Sequence, residues 1–415
     1  MRTIELVAAA LFAVAVLHTL STKVFERLAY RHPRHAGLFH LLGEVEVVFG
    51  FWAAVLVAAI GAIAGSAVAI EYAESRRYTE PVFVVVIMVI AASRPVLEAI
   101  RALVAFLARW LPGRAVVAQA WLCLALVPLL GSLVTEPAAM TLAALMLAPL
   151  VFRPEMPEPL KYGALGVLFV NISIGGTLTS FAAPPVLIVA ATWTWDSAFM
   201  LANFGWKATI AVFVNATGIV FLLRGHLADT AAPAAENVRV PLPVTAIHLV
   251  FLIATVVFAH HPVIFLGMFL LFLGYTQAYA KHQSPLLLKE ALLVGFFLAG
   301  LVVLGGLQQW WLQPLISRLQ PRELFFGALG LTAIADNAAL TYLGSLIDGM
   351  SAQAKYMLVA GAVAGGGLTV IANAPNPAGV SLLRSGFDKG SIGAPGLLLG
   401  ALAPTAVAAA ALLLL

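Results

Sequence analysis

The chain has 415 residues, of which 62% are hydrophobic and only 10% charged, and its mean hydropathy is +1.00. Soluble domains carry roughly 25% charged residues, so composition excludes an ordinary soluble protein and points to an integral membrane protein. The net charge of +4 says little about partners, because the placement of Lys and Arg along a membrane chain outweighs their sum.

A helix crosses a hydrocarbon core of about 30 Å with about 20 apolar residues, and runs of that length recur along the chain. A β-barrel would show alternating segments of about 10 residues instead. Full spans are predicted near residues 3–21, 38–64, 81–107, 161–191, 198–223, 241–259, 262–280, 286–306, 356–383 and 393–414. The first follows Arg2 as a signal peptide would, yet no small-x-small cleavage pattern closes it, so it reads as a mature span. The lone Cys123 excludes a disulfide within the chain.

Two further segments, 115–152 and 322–350, are apolar but broken in the middle. Their arms are no longer than a span, so they are predicted to be re-entrant hairpins with tips inside the membrane. Irregular backbone at that depth is tolerated only where it is buried in protein or lines a wet cavity.

With the N-terminus outside, most of the 23 basic residues, Arg27, Arg31, Arg34, Arg101, Arg109 and Arg114 among them, fall on cytoplasmic stretches. Arg2, Arg76, Arg77, Arg318, Arg322 and Lys355 fall outside, the asymmetry that the insertion rule requires. The polar stretch at 225–240 then reads as a cytoplasmic linker between a first unit, 1–224, and a second, 241–415. Each unit has five spans and one hairpin, and an odd number of crossings inverts the second. Inverted repeats with broken helices meeting near the midplane are the architecture of secondary transporters.

The hairpin tips carry the chemistry. The first reads "TEPAAMT" from Thr135 and the second "ADNAALT" from Ala335, so Glu136 answers to Asp336 and Thr141 to Thr341. After each hairpin comes a Gly-rich span with a Pro-rich break, "IGGTLTSFAAPPVLIV" from Ile174 and "GGGLTVIANAPNPAGV" from Gly365. Thr179 aligns with Thr369 and Pro185 with Pro375. Pro184, Pro185, Pro375 and Pro377 should interrupt their helices, because proline removes a donor and clashes with the preceding turn. Gly175, Gly176, Gly366 and Gly367 would let hairpin and broken span approach closely.

An ionised carboxylate at the bilayer centre costs about 2.5–3.5 kcal/mol on insertion scales, so an idle one is rare. Glu136 and Asp336 are therefore read as binding Na+ and H+ in turn, protonation erasing the charge that holds the metal ion. Sodium wants oxygen ligands, and Thr135, Asn337, Thr141, Thr341, Thr179, Asn373 and freed backbone carbonyls offer them. The bland alternatives are a permanent pair with Arg94 or Lys207, or capping of a hairpin limb. Glu44 and Glu46 point to different sides of a helix, and Glu46 is read as a structural or gating ion pair with Arg94. Arg94 and Glu98 could also pair at i,i+4. Lys207 could snorkel outward or serve transport. Asn171 and Ser173 either line the path or tie helices together. His260 and His261 form a short external turn or a pH sensor.

These paired tips and breaks resemble the ion-transporter superfamily, which includes sodium/proton antiporters, arsenite carriers and citrate or dicarboxylate carriers. Within it the chain is similar to a family of sodium/proton antiporters. The resemblance implies an all-α polytopic fold with a scaffold domain and a transport domain, substrate held between tips and breaks, and an elevator motion. It implies a transporter, not an enzyme, in a bacterial inner membrane with both termini outside, exchanging Na+ or another small monovalent cation for H+ by alternating access. The partners are the cation, the proton and the lipid bilayer, with a homodimer allowed and neither a resident cofactor nor nucleic acid. The alternatives are a sodium-coupled di- or tricarboxylate carrier and an arsenite-type carrier. Carboxylate carriers of the superfamily look to have Ser-Asn-Thr at their tips, where this chain has "TEP" and "ADN".

Overall fold

The computed structural model describes residues 2–227 and 240–415, and every regular element in them is a helix. Residues 228–239 of the expected linker lie outside the described residues. The first half opens with α1 (Arg2–Leu20), α2 (Thr22–Arg31), α3 (Ala36–Gly43), α4 (Val45–Ala64) and α5 (Ser66–Glu74). It continues with α6 (Thr79–Ala91), α7 (Arg94–Ala108), α8 (Ala115–Leu124), α9 (Leu126–Val134) and α10 (Glu136–Leu147). It closes with α11 (Glu158–Gly175), α12 (Pro184–Trp193), α13 (Ser197–Met200) and α14 (Trp206–Leu223). The second half holds α15 (Leu242–Val257), α16 (Pro262–Ala278), α17 (Leu288–Gly305), α18 (Gln309–Ile316) and α19 (Pro321–Thr332). Then come α20 (Asn337–Ser345), α21 (Ala352–Gly365), α22 (Asn376–Leu383) and α23 (Ala394–Leu414).

Among the described residues, six helices are long and apolar enough to cross a membrane, or up to eight if the bent pairs α6–α7 and α8–α9 each count as one span. The protein is multi-pass. Several of the ten stretches read as spans are divided or short, each for a local reason. The 38–64 span divides at Glu44, whose backbone is extended, leaving α4 as the crossing segment. The 81–107 span bends by 62° where Ser93 is extended and a proline occupies the first turn of α7. The 161–191 and 356–383 spans each become two shorter helices, with prolines opening the second of each. The 241–259 and 262–280 spans form helices of 16 and 17 residues, each with a proline in its first turn.

Contacts sort the helices into two groups. In one, α4 packs on α1 and α17, and α6 packs on α15, α16 and α17. In the other, α11 packs on α9, α14 and α23, and α21 packs on α19 and α23. Apart from the sequential step from α7 to α8, the groups meet chiefly where α17 touches α20 and α6 touches α9, α10 and α12. The first group is drawn together at Gly300, where a Cβ would lie 2.3 Å from the backbone nitrogen of Gly50. Without such small residues the helix backbones could not come this close. Gly300→Ala should push α4 from α17 and cost about 1–3 kcal/mol, the usual effect of overpacking. It should therefore lower the thermal midpoint in detergent, and an unchanged midpoint would show that this crossing is not what holds the group.

Within the second group the packing is crosswise. The first arm of each broken segment lies on the first arm of its own unit's break, α9 on α11 and α19 on α21. The second arms exchange partners, α10 lying on α22 and α20 on α12. The two halves are thus locked together around the four interruptions, where the polar residues gather.

Candidate functional site

The two tips solve the same problem differently. Thr135 closes α9 through its amide, 2.7 Å from the Gly131 carbonyl, and sits at φ 99°, ψ 150°. A β-branched residue there is strained, by about 1–3 kcal/mol for sparsely populated backbone. The turn makes Glu136 the first residue of α10, followed by Pro137. At the second tip Asp336 is itself the N-cap of α20, its Oδ1 accepting from the amides of Ala338 (2.8 Å) and Ala339 (3.3 Å). Asp336 therefore caps a helix, whereas Glu136 stands free of that duty.

The breaks are fastened to the tips by hydrogen bonds. In the first, α11 passes through a short turn at Gly176–Leu178 into extended Thr179, and α12 begins at Pro184–Pro185. Ser132 donates to the Gly175 carbonyl (2.7 Å) and accepts from the Leu178 amide (2.9 Å), while Thr179 donates to the Ser132 carbonyl (2.7 Å). In the second, Pro375 precedes α22 and Pro377 lies in its first turn. Thr369 donates to the Ala333 carbonyl (2.9 Å), and the Asn337 amide donates to the Ala372 carbonyl (3.1 Å). Thr179 and Thr369 thus play one role in the two halves, each hydroxyl gripping the first arm of its unit's hairpin. Asn376 Nδ2 holds the second break in shape, donating to the carbonyls of Gly366 (2.8 Å) and Thr369 (2.9 Å).

Around Glu136 the halves converge. The residue is 0% exposed. Its Oε2 accepts from Nδ2 of Asn373 at 2.9 Å, joining the first tip to the second break. Its Oε1 lies where a Cβ on Gly176 would be 2.5 Å away, so only glycine leaves it room. Asn337, also buried, reaches Ser173 Oγ at 3.5 Å, and Ser173 donates to the Val363 carbonyl at 2.8 Å. A side chain on Gly366 would meet both Ser173 and Asn337.

Five oxygens in this region are buried without a hydrogen-bond partner: Thr135 Oγ1, Glu136 Oε1, Asn337 Oδ1, Asn373 Oδ1 and Asn376 Oδ1. Each such atom costs about 1–3 kcal/mol when nothing satisfies it. All five lie at the tips and breaks of the two halves. Among the described residues no group of three or more His, Cys, Asp and Glu side chains could hold a metal ion. The donor set, mostly neutral oxygen with one or two carboxylates, suits a hard cation of low charge.

Other residues singled out in the sequence lie as follows. Thr141 and Thr341 donate within their own helices, to the carbonyls of Pro137 (2.9 Å) and Ala338 (3.2 Å). The helix carrying Arg94, α7, packs on α8 and α15, while Glu46 rides on α4 and lines a cavity with Asp336 and Asn373. Glu98 pairs with Arg101 at 3.1 Å. Lys207 donates to the Tyr356 hydroxyl at 2.9 Å and lies over the Tyr356 ring. Asn171 ties helices together, donating to the carbonyls of Leu124 and Val212 and accepting from Asn215. Lys161 is buried, bonded to Glu158 and the Gly386 carbonyl. His260 lines a cavity of about 770 Å³ between the two groups, with Arg77, Glu80 and Asp196. Two contributors escaped the sequence reading: Ser132, a lone hydroxyl in "LLGSLVTEP", and Asn376, between the prolines of "NAPNP".

The family profile described as "Putative Na+/H+ antiporter" matches residues 3–415. No curated protein matches the chain.

Proposed function

The chain belongs to this Na+/H+ antiporter family, and from that premise we propose a secondary active transporter that exchanges Na+, or another small monovalent cation, for H+ by alternating access. The observation that carries the reading is the set of five unpartnered buried oxygens at the tips and breaks, Glu136 Oε1 and four neutral ones. A dehydrated Na+ needs several oxygen ligands and one negative charge to replace its water. Glu136 supplies the charge and Thr135, Asn337 and Asn373 supply neutral oxygens. Asp336 adds the second carboxylate, and Thr179, Thr141 and Thr341, whose hydroxyls donate to backbone carbonyls, retain oxygen lone pairs for an ion. A proton on Glu136 removes the charge the metal ion needs, so proton and metal ion exclude one another there.

We read 1–224 and 241–415 as inverted repeats, a reading supported by the crosswise packing of α10 on α22 and α20 on α12. The sparse contacts between the groups support motion of one against the other. So does the space between them at the end carrying Arg77, Asp196 and His260. The carboxylate-carrier alternative fares worse, because the cavity beside the second tip is lined by Glu46, Asp336 and Asn373 among apolar neighbours. Such surroundings repel a carboxylate substrate.

In inverted membrane vesicles holding an imposed proton gradient, added Na+ is expected to collapse the gradient. Comparison of Na+, Li+, K+ and Ca2+ orders the selectivity. A gradient indifferent to all four cations, or citrate uptake in its place, would overturn the reading.

A further inference from the structure

Between the two helix groups lies a cavity of about 20 Å³. That is room for one water-sized body, since such a void needs about 10–15 Å³. Glu46 on α4 and Phe297 on α17 line one side, and Asp336, Asn373 and Pro377 line the other. Asn373 is 1% exposed and its Oδ1 has no partner, while its Nδ2 is committed to Glu136. A buried acceptor thus lines a one-body void with a carboxylate on each side of the seam between the groups. The other charged groups near Glu46 are Glu44 and Lys289. These two pair with each other at 3.4 Å, and among the described residues no ion pair joins Glu46 to either.

We infer that Glu46 is a third acid on the ion's route, a carboxylate fixed to the scaffold that shares the cation with Asp336 and Asn373 on one face of the membrane only. The inference rests on the exchange reading above. Asp336 and Asn373 belong to the group that holds the tips and breaks, whereas Glu46 sits at the end of α4, packed on α17. When one group moves against the other, the tip residues leave Glu46 behind. The ion therefore has one more ligand in one position than in its alternative, and affinity differs between the two faces. In the conformation that brings these three residues together, the wide space between the groups lies at the end carrying Arg77, Asp196 and His260, which the proposed topology places outside, so the tighter site is the one open to the outside.

The test is the Na+ KM for proton exchange measured at both faces, in inverted and right-side-out vesicles, for the unmodified protein and Glu46→Gln. Removal of one charged ligand should raise KM about tenfold at one face, with the other face within about twofold of the original. Equal shifts at both faces, as a merely structural role would give, or no shift at either, would overturn the inference. Should Glu46→Gln fail to reach the membrane, Glu46→Asp keeps the charge at shorter reach. It should give a smaller shift confined to the same face, and a symmetric shift there is equally fatal. An unmodified protein that moves no protons with any cation fells the exchange reading itself, a result distinct from the loss of sidedness alone.

Discussion

Glu136→Gln is expected to abolish cation-driven proton movement while leaving the fold intact. Glutamine keeps the length and shape of the side chain, and its amide oxygen can still accept from Asn373 Nδ2, as Glu136 Oε2 does at 2.9 Å. Only the charge goes. Truncating one partner of a buried charge interaction costs about 2–5 kcal/mol, so cation-driven exchange should fall below about 3% of the original rate at the same ion concentration. The measurement is recovery of a pH-sensitive dye in inverted vesicles after Na+ addition. Because the carboxylate is wholly buried with one oxygen unsatisfied, its neutral replacement should not lower the thermal midpoint in detergent. A folded variant that exchanges at half the original rate would mean that Glu136 holds helices together and no more.

The acids could be found from sequence because an ionisable group is expensive at membrane depth, and because the same pattern recurs in both halves. The breaks could be found because proline leaves its mark on any helix. What sequence concealed was partnership across distance. Glu46 lies early in the chain, yet α4 packs on α17, and the cavity that Glu46 lines is closed by residues of the second tip and second break. Span order gives no rule for that. Thr141 and Thr341 stand at matching positions, yet both hydroxyls donate within their own helices. Their repetition records a local helical habit as much as a shared ligand. Ser132 and Asn376 went unnoticed because serine and asparagine are common in packed membrane helices. Only the carbonyls that they meet, at Gly175, Gly366 and Thr369, reveal that they shape the breaks.

Asp336 poses a sharper test, since it has a structural duty that Glu136 lacks. Its Oδ1 caps α20 by accepting from the amides of Ala338 and Ala339, and a carboxylate at a helix start is favourable in any case. Capping alone would explain its presence. Asparagine caps a helix about as well as aspartate does, whereas alanine loses about 0.5–2 kcal/mol. Asp336→Asn therefore separates cap from charge: it should leave the thermal midpoint close to that of the unmodified protein while exchange falls by more than about tenfold. Asp336→Ala should lose exchange and lower the midpoint as well. Had the acid only capped α20, the asparagine variant would exchange normally and the alanine variant would fail through instability. The contrast between the two substitutions, read by vesicle exchange and by thermal unfolding of the same preparations, therefore decides whether the second tip binds the transported ion or merely begins a helix.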